Sequence, residues 1–189
     1  MKQSIIAIFS ITTLLFTSKA NGQRIAGYDI IGSKEEVLGT FNKLGLNTIK
    51  SATQFTILSG KLQNESVQMY FYHTPMSTQI YKVEVFYPSK TSSDSSKISF
   101  NKRLSAMTNR YGAPENVICS DGSKLNHAYN NLIDTDILKM EWVTMPYFQN
   151  LSLYAELLKS GEVQVTYIVK NNALKYEQEI KMVPSNPGF

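Results

Sequence analysis

The residues able to do chemistry in this chain are few and scattered. Its two histidines, His73 and His127, lie far apart, and Cys119 is the sole cysteine. A metal centre needs several ligands within reach of one another, which this spacing does not offer, so no metal or cofactor is expected. There is no Gly-x-Ser-x-Gly elbow, and no histidine stands near Cys119 in sequence to activate it. Asp134-Thr135-Asp136 begins like a calcium loop, but Lys139 replaces the turn glycine and Met145 the closing acid. Ser59-Gly60-Lys61 holds a Gly-Lys pair, yet Phe55 stands where a phosphate loop needs its first glycine and Leu62 where it needs Ser or Thr. That segment reads as a turn. Two kinds of chemistry stay open: recognition, or hydrolysis with His73 or His127 as base in a triad assembled across the fold.

Recognition has the better-placed residues. The chain carries 11 tyrosines and 9 phenylalanines, concentrated where the sequence alternates as strands do. If Val67, Met69 and Phe71 face a core, then Gln68, Tyr70 and Tyr72 face the other way. The same alternation turns Lys82, Glu84 and Phe86 outward in the next strand. Lys139, Glu141 and Val143 follow if Met140 and Trp142 are core, with Tyr154 beside them. Rigid amphipathic aromatics mixed with charges of both signs suit protein contacts. Tyr70, Tyr72, Phe86 and Tyr154 are the candidate anchors; Lys82, Glu84, Lys139 and Glu141 would set orientation. The same groups would also serve to stabilise an exposed sheet.

The elements that must position them are legible in outline. Ser33-Lys34-Glu35-Glu36 spells a capping box, and Val37, Leu38, Phe41 and Leu44 fall on one helical face before Gly45. Strand-like runs follow at 53–59, 67–73 and 81–87, with Phe55 and Ile57 on the expected buried face of the first. Their connections are short enough for an antiparallel meander. After the Ser/Lys/Asp-rich stretch from Pro88 to Lys97, Ser95 or Ser96 would cap a second helix carrying Phe100, Leu104, Met107 and Tyr111. Gly112 and Pro114 end it. Further strands are expected at 117–120, 137–144, 151–158 and 163–170, with a hairpin at Lys159-Ser160-Gly161, and a closing helix at 171–183. The fold class is therefore α+β: two helix-plus-antiparallel-meander repeats, residues 24–90 and 91–183, with the helices on one face of the sheet. Residues 184–189 form a tail.

The N-terminus reads as an export signal. Lys2 precedes an uncharged apolar run from Ile5 to Thr17, and small residues at Ser18 and Ala20 suit cleavage after residue 20, or after 22 at a second site. The run is shorter than the ~20 residues a membrane span requires. Formal charge is +4 for the whole chain, and part of that leaves with Lys2 and Lys19. No basic run remains, which argues against nucleic acid as a partner. No later stretch reads as a membrane span, so the mature chain is expected to be soluble, periplasmic or secreted. Asn64-Glu65-Ser66 and Asn150-Leu151-Ser152 match glycan-acceptor sequons.

Gly32-Ser33-Lys34-Glu35-Glu36, Arg110-Tyr111-Gly112-Ala113-Pro114 and Val165-Thr166-Tyr167 leading to Asn171-Asn172 resemble small exported proteins of Bacteroidetes bacteria over most of the mature chain. The duplicated helix-plus-meander layout is also similar to β-lactamase-inhibitor-protein-like architecture and to small outer-membrane assembly lipoproteins. The resemblance implies a noncatalytic module that binds a protein or envelope component through its sheet face. A small exported hydrolase and a small-ligand carrier are the alternatives. The chain lacks the disulfides of the inhibitor proteins and the anchoring cysteine of the lipoproteins.

Overall fold

A computed structural model describes residues 24–90, 92–119, 122–125, 137–143 and 149–183. The segment expected to be an export signal, His127, Asp134 to Asp136 and residues 184–189 lie outside the described residues. A hairpin of β1 (Arg24–Ile25) and β2 (Tyr28–Asp29) precedes α1 (Lys34–Lys43). Local chemistry sets both ends of α1. The Ser33 hydroxyl accepts from the Glu36 amide at 3.4 Å, and the Glu36 carboxylate accepts from the Ser33 amide at 3.0 Å. The Ser33 amide and the Ser33 hydroxyl, which also donates to Glu36 Oε2 at 2.9 Å, together hold the Glu36 carboxyl below its ordinary range. At the other end Gly45, at φ +91°, and Leu46 donate to Asn42 and Phe41 at 3.0 and 3.2 Å, closing a Schellman motif.

β3 (Asn47–Ser51), β4 (Phe55–Leu62), β5 (Glu65–His73) and β6 (Ile80–Tyr87) follow. Gln63 and Asn64, both at positive φ, make the two-residue turn between β4 and β5. α2 (Ser93–Tyr111) leads to β7 (Asn116–Cys119), β8 (Lys124–Leu125), β9 (Ile137–Trp142), β10 (Leu151–Leu157), β11 (Val163–Val169) and α3 (Lys170–Met182). The N-cap of α2 is Ser92 rather than Ser95 or Ser96: its hydroxyl accepts from the Ser95 amide. Ser96 is buried instead, where its hydroxyl accepts from the Lys90 amide at 3.0 Å.

Among the described residues nine strands form one antiparallel sheet, in the order β3-β4-β5-β6-β11-β10-β9-β7-β8. β6 and β11 join its two sides, with Val85 opposite Val165. The sheet is therefore continuous across the Ser/Lys/Asp-rich stretch before α2. Met69, Phe71, Val83, Val85, Met140, Leu153 and Ala155 are sealed on one face. α1 covers part of that face, its Phe41 ring 5.2 Å from Phe71. α2 adds Phe100, Leu104, Met107 and Tyr111 to the same core. Trp142 completes it, donating its indole N–H to the Gly112 carbonyl at 2.8 Å.

The core face of β4 differs from the one its sequence suggests. Ile57 pairs opposite Tyr70 and Leu58 opposite Met69, so Thr56 and Leu58 face the helices while Phe55 and Ile57 lie on the other face, where Ile57 is still buried and Phe55 half-buried. Both alternate sets of β4 are apolar, and only pairing with β5 chooses between them.

α3 docks by polar contacts. Its buried residue among those described is Glu179, whose carboxylate accepts the Met76 and Ser77 amides at 2.7 and 3.1 Å. Desolvation raises the Glu179 carboxyl, but the Ser77 and Met76 donors outweigh it and the net direction is down. Asn172 donates to the Ile80 carbonyl at 2.7 Å. Among the described residues no helix is long and apolar enough to cross a membrane.

Candidate functional site

Strand periodicity decides which side chains leave the core, and cross-strand pairing then aligns them. In β5 the half-buried Tyr70 and Tyr72 alternate with buried Met69 and Phe71. Lys82, Glu84 and Phe86 of β6, Lys139 and Glu141 of β9, and Tyr154 of β10 also occupy half-buried positions. One row of opposed residues runs Ile57, Tyr70, Glu84, Thr166, Tyr154, Glu141, Asn116. Beside it run Phe55, Tyr72, Lys82 and Ile168. On its other side lie Gln68, Phe86, Gln164, Glu156 and Lys139. All eight candidates read from the sequence therefore share one face of the sheet, in three adjacent rows.

Each Lys-x-Glu cluster on this face is paired internally. Lys82 Nζ sits 3.1 Å from Glu84 Oε1 and 3.9 Å from the centre of the Tyr72 ring. The Tyr72 hydroxyl donates to Glu84 Oε2 at 2.8 Å. Burial, reinforced by that carboxylate, holds the Tyr72 phenol well above its ordinary range. A second cluster repeats the Lys-x-Glu spacing. Lys139 Nζ lies 2.9 Å from Glu141 Oε1, Asn116 donates to Glu141 Oε2 at 3.1 Å, and Lys139 stands 5.5 Å from the Tyr154 ring centre. Its hydrogen bond to Glu141 outweighs desolvation and raises the Lys139 ammonium.

The aromatic rings are in contact with one another. Phe86 meets Tyr70 at 5.2 Å, Tyr70 meets Phe55 at 6.5 Å, and Phe55 meets Tyr72 at 6.1 Å. Tyr72 then meets Tyr81 at 6.3 Å, and Tyr81 stacks on Tyr176 of α3 at 4.4 Å. Phe55, Tyr81 and Tyr176 are the members that sequence reasoning left out. The alternation of β4 suggests a core position for Phe55, the pairing of β5 with β6 shifts register beside Tyr72, and Tyr176 reaches the face only because α3 docks there. The resulting surface can offer aromatic contact and hydrogen bonding with no unpaired carboxylate or ammonium in either Lys-x-Glu cluster. Among the described residues no group of three or more His, Cys, Asp or Glu is placed to hold a metal ion.

This chain matches no family model, no curated protein and no solved structure.

His73, the candidate base, ends β5 at 3% exposure. Its Nδ1 lies 3.5 Å from the Thr74 carbonyl, and its Nε2 is sealed with no hydrogen-bond partner. Among the described residues no serine hydroxyl or carboxylate is hydrogen-bonded to the His73 ring. Cys119 is buried at the end of β7. Burial, helped by the Lys34 charge, pushes the His73 imidazole below its ordinary range. The unfolded chain then takes up a proton at about pH 6.5 that the folded chain refuses. Stability is expected to fall as the pH drops from 7.5 to 5.5, and His73→Phe should flatten that dependence. Urea midpoints at the two pH values check it; an equal decrement in both proteins would rule out His73 as the source.

Proposed function

We propose that this chain is an exported, noncatalytic binding module that recognises a protein or envelope component through the outward aromatic face. Export rests on the N-terminal signal, with cleavage after residue 20 or 22 and delivery to the periplasm or beyond. The module consists of two helix-plus-meander units sharing one sheet. The strand order supports this, since β3 to β6 run inward from one edge, and β7, β9, β10 and β11 run inward from the other side to meet β6.

One observation carries the binding role: Tyr70, Tyr72, Phe86 and Tyr154 lie with two self-paired Lys-x-Glu clusters in adjacent rows of a single face. Aromatic side chains held rigidly by neighbours lose little entropy on contact and supply large apolar area with a polar tip. The paired charges leave orientation to hydrogen bonding and shape. Affinity capture from native envelope extracts with the mature protein, beside a Tyr70→Ala/Tyr72→Ala variant of verified fold, tests the reading. The expected result is a near-stoichiometric partner that the variant loses. A partner held equally by both would discard this face, and no partner at all would discard the role.

A further inference from the structure

We propose that the open cleft between α2 and the β1–β2 hairpin, on the helix-covered side of the sheet, binds a small organic acid with an apolar body. The cleft measures about 460 Å³ and is lined by Arg24, Met107, Arg110, Tyr111 and Tyr167, among others. That volume falls in the range of small-molecule sites. It shares no residue with the outward aromatic face.

Three features select the ligand. The first is charge: two guanidiniums line the cleft and, among the described residues, no carboxylate does. Arg24 is held by Asp29 at 3.0 Å, which lies outside the lining. Arg110 is exposed, stands 5.3 Å from the Tyr111 ring centre, and makes no ion pair among the described residues. Guanidinium donors match carboxylate oxygens in geometry and charge.

The second feature is Tyr167. Its side chain is 8% exposed, yet its hydroxyl makes no hydrogen bond among the described residues. Tyr167 lines the cleft beside the two arginines. A buried hydroxyl left without a partner carries a desolvation cost that an incoming acceptor would remove. Burial pushes the phenol well above its ordinary range, so it stays a donor.

The third feature is shape. The Tyr111 hydroxyl donates to the Arg24 carbonyl at 3.2 Å, tying the hairpin to α2 and fixing the separation of the cleft walls. Met107 and Ala106 of α2 add an apolar wall to the lining. A carboxylate at the guanidiniums with its hydrocarbon against this wall satisfies every group at once.

Titrating the mature protein with acetate, hexanoate and benzoate, followed by amide chemical shifts, tests the assignment; 1-hexanol and inorganic phosphate serve as controls. Hexanoate or benzoate is expected to give saturable shifts at Arg24, Gly27, Gln63 and Arg110, with acetate weaker and hexanol silent. Arg110→Gln should weaken binding about tenfold, the factor typical of one charge-assisted contact. Tyr167→Phe should weaken it several-fold without lowering the urea midpoint, because the hydroxyl it removes has no partner to lose. The proposal fails if none of the three carboxylates gives saturable shifts at these residues. It also fails if Arg110→Gln binds as the parent does. Phosphate matching the carboxylates would replace an organic acid by a simple anion site and overturn the apolar-body assignment.

Discussion

Replacing Trp142 with alanine is expected to remove about 3–5 kcal/mol of stability, the range for deleting a large buried aromatic. Trp142 is 1% exposed and is the chain's single tryptophan. It sits at the end of β9, where it fills the core and also donates to the Gly112 carbonyl at 2.8 Å. Gly112 is the C-cap of α2, at φ +88°, so the indole fastens the end of that helix to the sheet. Alanine leaves a cavity and an acceptor without its donor. Against a typical total of about 5–15 kcal/mol, that loss would bring the fold near its limit. Trp142→Phe separates the two contributions: it keeps most of the volume and should lose about 1–2 kcal/mol through the missing hydrogen bond and the smaller ring. Urea unfolding followed by far-UV circular dichroism measures both variants. A loss below about 1 kcal/mol for alanine would mean that β9 and the end of α2 are not packed as described.

Where a feature is set within a few residues, its sequence announces it. The first helix is the clearest case: the reciprocal Ser33–Glu36 bonds and the Gly45 turn involve no residue outside 33–46. The faces of β5, β6 and β9 are legible for the same reason, since one alternate set is apolar and the other mixed, and period two does the rest. That is why all eight candidates of the outward face could be named without coordinates.

Features decided between distant segments were not legible. In β4, Ile57 and Leu58 are equally apolar, and the choice between faces belongs to the Leu58–Met69 pairing. The serines from 92 to 96 are equivalent as caps by local chemistry; Ser96 is excluded because its hydroxyl is engaged by Lys90. All five residues of β3 are exposed, so no alternation marks the strand, which exists through its pairing with β4. Tyr176 joins the aromatic chain only because Glu179 and Asn172 fix α3 against the 76–80 segment. The cleft lined by Arg24 and Tyr167 brings together residues more than a hundred positions apart, which no spacing rule detects.

Gly60 carries the second large effect, and its sign is opposed by a control in the same part of the fold. A Cβ built on Gly60 would lie 2.9 Å from the Gly45 carbonyl oxygen and 3.0 Å from the Leu46 Cα. Both obstacles are backbone, and both belong to the turn that the Schellman bonds hold at the end of α1. They cannot step aside as the tip of a flexible side chain would. Gly60→Ala is therefore expected to cost about 1–3 kcal/mol through forced separation of β4 from that turn. At Gly39, inside α1, a Cβ meets nothing within 4 Å. There alanine removes the entropy penalty of glycine in a helix, and Gly39→Ala should gain about 0.5–1 kcal/mol. Urea midpoints of the two variants should move in opposite directions from the parent. If Gly60→Ala proved neutral, the α1 turn would not rest on β4 as closely as the 2.9 and 3.0 Å approaches require.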